Sequence, residues 1–283
     1  MIVSRLLGGT GNQLFQYAAG RALADRLGTD LALDRRYVGP AGASRADGFD
    51  HFRNARFIAA PDLPPARMDG LARYALWRWF GRHPRFHRER GLGFDPGFFD
   101  LPDDTYLHGY WQSPRYFGPS ADRLRADLAM TTPLDAANRD MAARIAAASA
   151  AVSVHVRRGD YVGDGAFAAC TPAYYARAVS LIAERLGRPP VCFVFSNDPG
   201  WARANLSLGH ETVVVDLNDE ASGHFDLHLQ SRCAHHIIAN STFSWWGAWL
   251  NPGPDRIVIA PQAWFGPGKP GNPDLCPPDW IRL

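Results

Sequence analysis

His155-Val156-Arg157-Arg158-Gly159-Asp160 sets two adjacent guanidinium groups beside an imidazole and a carboxylate. Guanidinium forks grip phosphate oxygens two at a time, so this cluster suits a doubly charged phosphate. The plainer reading is a structural ion pair such as Arg158 with Asp160. Asn240-Ser241-Thr242-Phe243-Ser244 opens a helix, where free backbone N–H groups and hydroxyls again favour an anion. Its plainer reading is N-capping by Ser241 or Thr242. Ser196-Asn197-Asp198 and Asp216 add polar groups, each directly behind a short apolar run. Converging on one pocket, these clusters would hold a nucleotide diphosphate. The glycine turn Gly8-Gly9-Thr10-Gly11-Asn12-Gln13 invites a dinucleotide reading, with Asp34 on the ribose hydroxyls. Where the third glycine of that pattern should let helix approach strand, however, the chain has Leu14. What survives is a tight backbone approach at a cleft, with Asn12 and Gln13 aimed into it.

Elements that could position these groups are readable from periodicity. Short β-branched runs at Val152–Val156, Val191–Phe195, Thr212–Asp216, His236–Ala239 and Arg256–Ala260 alternate with helix-length segments, which specifies a parallel sheet with crossover helices. Ligands of such a sheet bind outside the carboxyl ends of its strands, and the polar clusters fall there. Val152, Val154 and Val156 alternate with Ser153, His155 and Arg157, so His155 and Arg157 leave the strand on one face. Thr171 and Pro172 start the next helix, whose apolar face is Tyr175, Ala178, Val179, Ile182 and Leu186. The amino terminus reads as strand Ile2–Leu7, the glycine turn, a helix from Asn12 to Leu27, and strand Leu31–Asp34, a βαβ start. A helical stretch from Pro119, broken at Pro133, ends near Ala150 and connects two domains, 1–145 and 146–283.

Composition excludes several classes. Thirty basic against 28 acidic residues leave a formal charge of +2, so no general field holds nucleic acid. Met1 to Leu7 carries Arg5 and runs into glycines, unlike a signal peptide, and no segment reaches the roughly 20 apolar residues of a membrane span. Cys170, Cys192, Cys233 and Cys276 lack any zinc-like spacing and fit a reduced, cytoplasmic protein. No metal is expected: there is no Asp-x-Asp, and His235-His236 enters a β-run where neighbours face opposite ways. The stretch from Tyr37 to Gly109 has no clear periodicity. Within it Arg67, Arg73, Arg78, Arg82, Arg85, Arg88 and Arg90 alternate with Trp77, Trp79 and Phe86, either as a solvated face with packed tryptophans or as a peripheral contact with the inner membrane surface.

At this point the chain resembles a known family. Residues 8–18, Gly109-Tyr110-Trp111-Gln112-Ser113, His155 to Val162, Phe195-Ser196-Asn197-Asp198 and Asn240 to Leu250 are similar to the α-1,2-fucosyltransferases, glycosyltransferase family 11. The His-x-Arg-Arg-x-Asp string is shared with the wider α-1,2, α-1,6 and protein O-fucosyltransferase group. The resemblance implies an α/β, GT-B-like fold of two facing Rossmann-like domains. It implies inverting transfer from GDP-β-L-fucose to the 2-hydroxyl of a terminal β-galactose in a glycan, with GDP-fucose as substrate and no cofactor. By similarity Arg157 binds the β-phosphate, Ser241 to Ser244 bind phosphate, Asp226 pairs with guanine, and Asn12 faces the donor. The expected donor contacts are thus Asn12, Arg157, Arg158, Asn197, Asp226, Asn240, Ser241, Thr242, Phe243 and Ser244, in a site carried mainly by the second domain. Acceptor contacts are expected from Asp34, Trp111 and Gln112 of the first.

Catalysis would rest on Arg157 stabilising the departing phosphate, with His155, Asp160 and Asp34 as candidate bases. Rival readings are a transferase of the same architecture with another nucleotide sugar or linkage, a noncatalytic carbohydrate-binding protein using its 9 tryptophans, and an NAD-dependent oxidoreductase. The glycine count argues against the last.

Overall fold

The computed structural model describes residues 1–38, 49–52, 70–80, 86–158, 170–268 and 270–283. The chain forms two compact α/β units, Met1–Ala129 with Pro273–Leu275, and Met130–Asn272 with Cys276–Leu283.

In the first unit, strands β1 (Ile2–Arg5), β2 (Leu31–Asp34), β3 (Phe86–Arg88) and β4 (Tyr106–His108) lie in the order β2-β1-β4-β3, each neighbouring pair parallel. The βαβ start is as expected, with α1 (Thr10–Leu27) as the crossover. Leu14, Phe15, Ala18, Ala19 and Leu23 of α1 are fully buried. The helix stops at Gly28, which takes the left-handed φ of 65° that a C-cap favours. The close helix–strand approach that the dinucleotide pattern assigns to its third glycine is made by Gly20 instead. A Cβ there would lie 2.8 Å from Leu31 Cδ1 and 3.1 Å from Ser4 Cβ. Helix α2 (Leu71–Phe80) precedes β3, and α3 (Ala121–Asp127) follows β4.

The second unit has a six-stranded sheet of β5 (Ala151–Val156), β6 (Val191–Ser196), β7 (Glu211–Val215), β8 (His235–Ile237), β9 (Val258–Ala260) and β10 (Ile281–Arg282), in the order β10-β9-β8-β5-β6-β7, every pair parallel. Counted from β5 this is 3-2-1-4-5-6, the doubly wound order of nucleotide-binding sheets. Crossovers are α5 (Pro172–Leu186), α6 (Pro199–Asn205), α7 (Gly223–Arg232) and α8 (Thr242–Leu250). Val152, Val154 and Val156 pack on Tyr175, Ala178, Val179 and Ile182 of α5. On the other face Ala151, Phe193, Phe195, Val213 and Val215 meet Leu229 of α7 and Ile145 of α4 (Ala136–Ala147).

That packing moves the domain boundary. The expected division at 145/146 assigned α4 to the first domain, whereas the compact units divide at Ala129 and Met130. Ile145 belongs to the second core, and the side-chain amides of Asn138 and Asn218 exchange two 3.0 Å hydrogen bonds. The α/β class with parallel sheets is as expected; five strands of the second sheet are those read from the sequence, and β3, β4 and β10 are additions.

Candidate active site

In the second unit the strand order reverses between neighbours β5 and β8, so the loops leaving them part to opposite faces and open a crevice at their carboxyl ends. His155 and Arg157 stand at the exit of β5, and Asn240 to Ser244 follow β8. The imidazole of His155 lies 5.8 Å from the ring of Phe243 in the first turn of α8, so these clusters do meet. His155 is buried and its Nδ1 has no protein partner. Burial, helped by the charge of Arg157, pushes its pKa down to about 3, so the ring is neutral at physiological pH.

Ser241 occupies the N-cap of α8, but its side chain caps no backbone N–H. The hydroxyl of Ser244 donates to the carbonyl of Ser241, 3.1 Å. Plain N-capping by Ser241 is therefore not what the structure has. Thr242 and Phe243 are partly exposed in that first turn. Asn240 is buried, its Nδ2 donating to the carbonyl of Trp264 at 2.9 Å. Behind them Trp245, Trp246 and Trp249 pack with Trp280, and Gly247 leaves room for Gln230, whose Oε1 would lie 2.8 Å from an added Cβ.

Arg158 lies over the ring of Trp201, 3.9 Å from its centroid, a partner that no periodic signal in the sequence marks. Asn197 accepts from the Arg158 amide at 2.8 Å and donates to its carbonyl at 3.1 Å, so its side chain splints the β5 exit. Arg157 is the guanidinium beside His155. Asp160 lies outside the described residues.

Asp226, in the first turn of α7, accepts from Asn218 Nδ2 at 2.7 Å. Burial raises its pKa to about 7 against that hydrogen bond, and the charge of Asp216 adds to the rise.

In the first unit β1 and β4 are neighbouring parallel strands, and beyond their carboxyl ends Gln112 Nε2 donates to Asn12 Oδ1 at 2.9 Å, joining the glycine turn to the segment after β4. Gly8 has φ 75°, and a Cβ on it would lie 2.5 Å from Asn12 Nδ2. Gln13 does not point outward as expected. It is buried and donates back to the Gly8 carbonyl at 2.9 Å, while Gln16 Oε1 accepts from the Leu7 amide at 2.8 Å.

Two expected acceptor residues are structural. Trp111 is 0% exposed, wedged between His87, Phe98 and Tyr116, so neither indole face can meet a sugar. Asp34 is buried, accepting from the Tyr106 hydroxyl at 2.7 Å and from the Arg36 side chain at 3.0 and 2.9 Å. Burial alone would raise its pKa, but the donors of Arg36 and Tyr106 bring it below the ordinary value, making a poor base.

Among the described residues no group of three His, Cys, Asp or Glu could hold a metal ion. His235 and His236 serve separate ends as expected. The Ile257 amide donates to His235 Nδ1 at 3.1 Å, and His236 Nε2 lies 3.0 Å from Asn251 Nδ2.

Two α/β units, the second with an arginine at the switch point of a doubly wound sheet, define an α/β architecture suited to binding a nucleotide. The profile of Glycosyl transferase family 11 matches residues 89–282, and the chain belongs to that family. It is 31% identical to an alpha-1,2-colitosyltransferase of Escherichia coli, over 100% of this chain and 99% of that one. A galactoside alpha-(1,2)-fucosyltransferase 1 of Aotus azarae is 27% identical over 94% of this chain and 74% of its own length. Fucosyltransferase NodZ from Bradyrhizobium aligns with TM-score 0.53 at 16% identity, over 89% of this chain and 93% of that one, a likeness of GT-B-like fold.

Asp34 separates a structural from a catalytic carboxylate. Replacing it by Ala leaves the Tyr106 hydroxyl buried without its acceptor and removes the Arg36 ion pair, and should cost on the order of 3 kcal/mol, the low end for a broken buried pair because Arg36 is partly exposed. Thermal unfolding of ligand-free Asp34→Ala should show it as a lowered Tm. Because the folded pKa is depressed, the contribution is present above the unfolded value of about 4 and lost as pH falls through the folded one, so the Tm difference should close in acid. An unchanged Tm at neutral pH would contradict the structural role.

Proposed function

We propose that the chain transfers L-fucose from GDP-β-L-fucose, with inversion and without a metal, to the 2-hydroxyl of a terminal β-galactose. One observation carries the reading: neutral His155, whose pKa the charge of Arg157 helps to lower, meets the first turn of α8, which has no side-chain cap at Ser241, where the strand order reverses. Backbone N–H groups at a helix start and a guanidinium suit a pyrophosphate, and a buried ring nitrogen lacking a protein partner is one that a ligand can satisfy. Two strand spacings of about 4.8 Å separate β5 from β7, and Asp226 follows β7, within reach of the base of a nucleoside diphosphate laid across the strand ends.

Charge on the departing β-phosphate is then neutralised by Arg157 and the helix start, which is where most of the barrier is lowered. Fucose departs with its bond electrons on GDP while the acceptor oxygen attacks the opposite face of the anomeric carbon. Neutral His155 and ion-paired Asp34 are poor proton acceptors, so the proton passes to Asp160 or to solvent. Donor choice is the finer question, because one relative is a colitosyltransferase and colitose is L-fucose without its 3-hydroxyl. A site that hydrogen-bonds that hydroxyl rejects the deoxy sugar strongly, and one that merely accommodates it does not.

Incubation with GDP-fucose and lactose in excess EDTA tests this directly: α-1,2-fucosyl-lactose and GDP should form, faster than from GDP-colitose. Product only after adding Mn²⁺ or Mg²⁺, or product only from another donor, would overturn the mechanism or the donor. Asp226 gives an independent pH test. Ionised, it accepts two guanine N–H groups; protonated, it sets a donor against a donor. GDP affinity should be level above about pH 7 and fall by up to about tenfold per pH unit below it, a dependence that Asp226→Asn should abolish. Affinity constant down to about pH 5 would remove Asp226 from the base site.

A peripheral membrane contact is a further part of the proposal, favoured by α2. Leu71, Leu76 and Trp79 of that helix are 66%, 61% and 79% exposed, beside exposed Arg73, while Trp77 packs on Phe86. Side-chain placement of Arg78 lies outside the described residues, as do Arg67, Arg82 and Arg85. No helix among the described residues is long and apolar enough to cross a membrane. Co-sedimentation with anionic vesicles should occur at low salt and vanish on replacing Arg78, Arg82 and Arg85 with Ser. Absence of binding at low salt would leave α2 as ordinary surface.

A further inference from the structure

Trp111 has φ 54°, a left-handed conformation that a bulky side chain rarely takes. Three features hold it there. The Glu89 carboxylate accepts from the Tyr110 amide at 2.7 Å and from the Trp111 amide at 3.0 Å. Gly109 has no side chain where a Cβ would lie 2.5 Å from Glu89 Cβ. The Trp111 indole is locked among Phe98, Tyr116 and His87. Such a set is more than a loop needs to turn, and backbone held in a sparse region by its surroundings points to a site.

What the clamp displays is Tyr110. Tyr110 is 40% exposed, while its neighbour is fully buried, and it stands just after β4, beside the hydrogen bond by which Gln112 meets Asn12. An exposed aromatic side chain on backbone held in place at a sheet's carboxyl edge has only its two side-chain torsions to order on binding, which suits stacking on the apolar face of a pyranose. We infer that Tyr110 is the acceptor-stacking residue of this enzyme, binding the galactose ring of the glycan through its aromatic face, with Glu89 as the positioning residue that holds the turn. The inference rests on the galactoside reading above and reassigns to Tyr110 the role that the buried Trp111 cannot fill.

Steady-state kinetics of Tyr110→Ala and Tyr110→Phe with GDP-fucose and lactose test it, together with calorimetry of GDP binding. Tyr110→Ala should raise the acceptor KM by about tenfold or more, with kcat and GDP affinity within about twofold of the original, and Tyr110→Phe should restore the KM because the face and not the hydroxyl is used. An acceptor KM unchanged in Tyr110→Ala, or a loss of GDP affinity, would overturn the assignment. A donor-free arm keeps this outcome separate from the functional reading: saturation-transfer NMR of lactose with the protein and GDP. There the aromatic-to-galactose transfer should disappear in Tyr110→Ala and persist in Tyr110→Phe. Absence of fucosyl transfer by the original chain would sink the donor reading while this arm still decides Tyr110; no lactose signal with the original chain, or an equal signal in Tyr110→Ala, would overturn it.

Discussion

In a parallel sheet wound in two directions, the loops that leave the two central strands turn to opposite faces, and the gap between them is one the sheet cannot fill with its own side chains. The second unit of this chain is built around such a gap, between β5 and β8. Much of the local detail follows from it. Asn197 splints the exit of β5 through the Arg158 backbone, and in the first unit Gly8 keeps the β1 turn tight enough for Asn12 to meet Gln112. The α5 face of Tyr175, Ala178, Val179 and Ile182 and the tryptophan cluster behind α8 fix the two edges of the gap.

Legibility in the sequence followed the strength of the local signal. Runs such as Val152 to Val156 are buried on both faces and β-branched, so strand and exit residue could both be read. Strands β3 and β4 are three residues each and carry His87, Arg88 and His108, too short and too polar for periodicity to register. Their identity comes from pairing with β1 and with each other. Asp34 shows a different limit: a carboxylate at a strand end looks the same whether it faces a ligand or an arginine two residues on. Trp111 was misplaced because an aromatic in a polar motif suggests sugar stacking, whereas the left-handed turn sends it inward and its neighbour outward. Gln13 likewise returns to its own turn, which no spacing rule reveals.

The proposed chemistry follows from what the gap between β5 and β8 holds. A leaving diphosphate needs fixed positive charge at the oxygen that gains electrons, and a guanidinium provides this with directional donors, whereas an ammonium is a point charge. His155, kept neutral by burial beside Arg157, leaves the arginine as the charge in that pair. The central claim is therefore that the planar fork of Arg157, and not simply its charge, stabilises the departing pyrophosphate. Turnover of Arg157→Lys at saturating GDP-fucose and lactose, in excess EDTA and with Tm recorded alongside, tests it most directly. The expected result is a kcat lower by about two orders of magnitude or more at an unchanged Tm. Near-original turnover in that variant would contradict it.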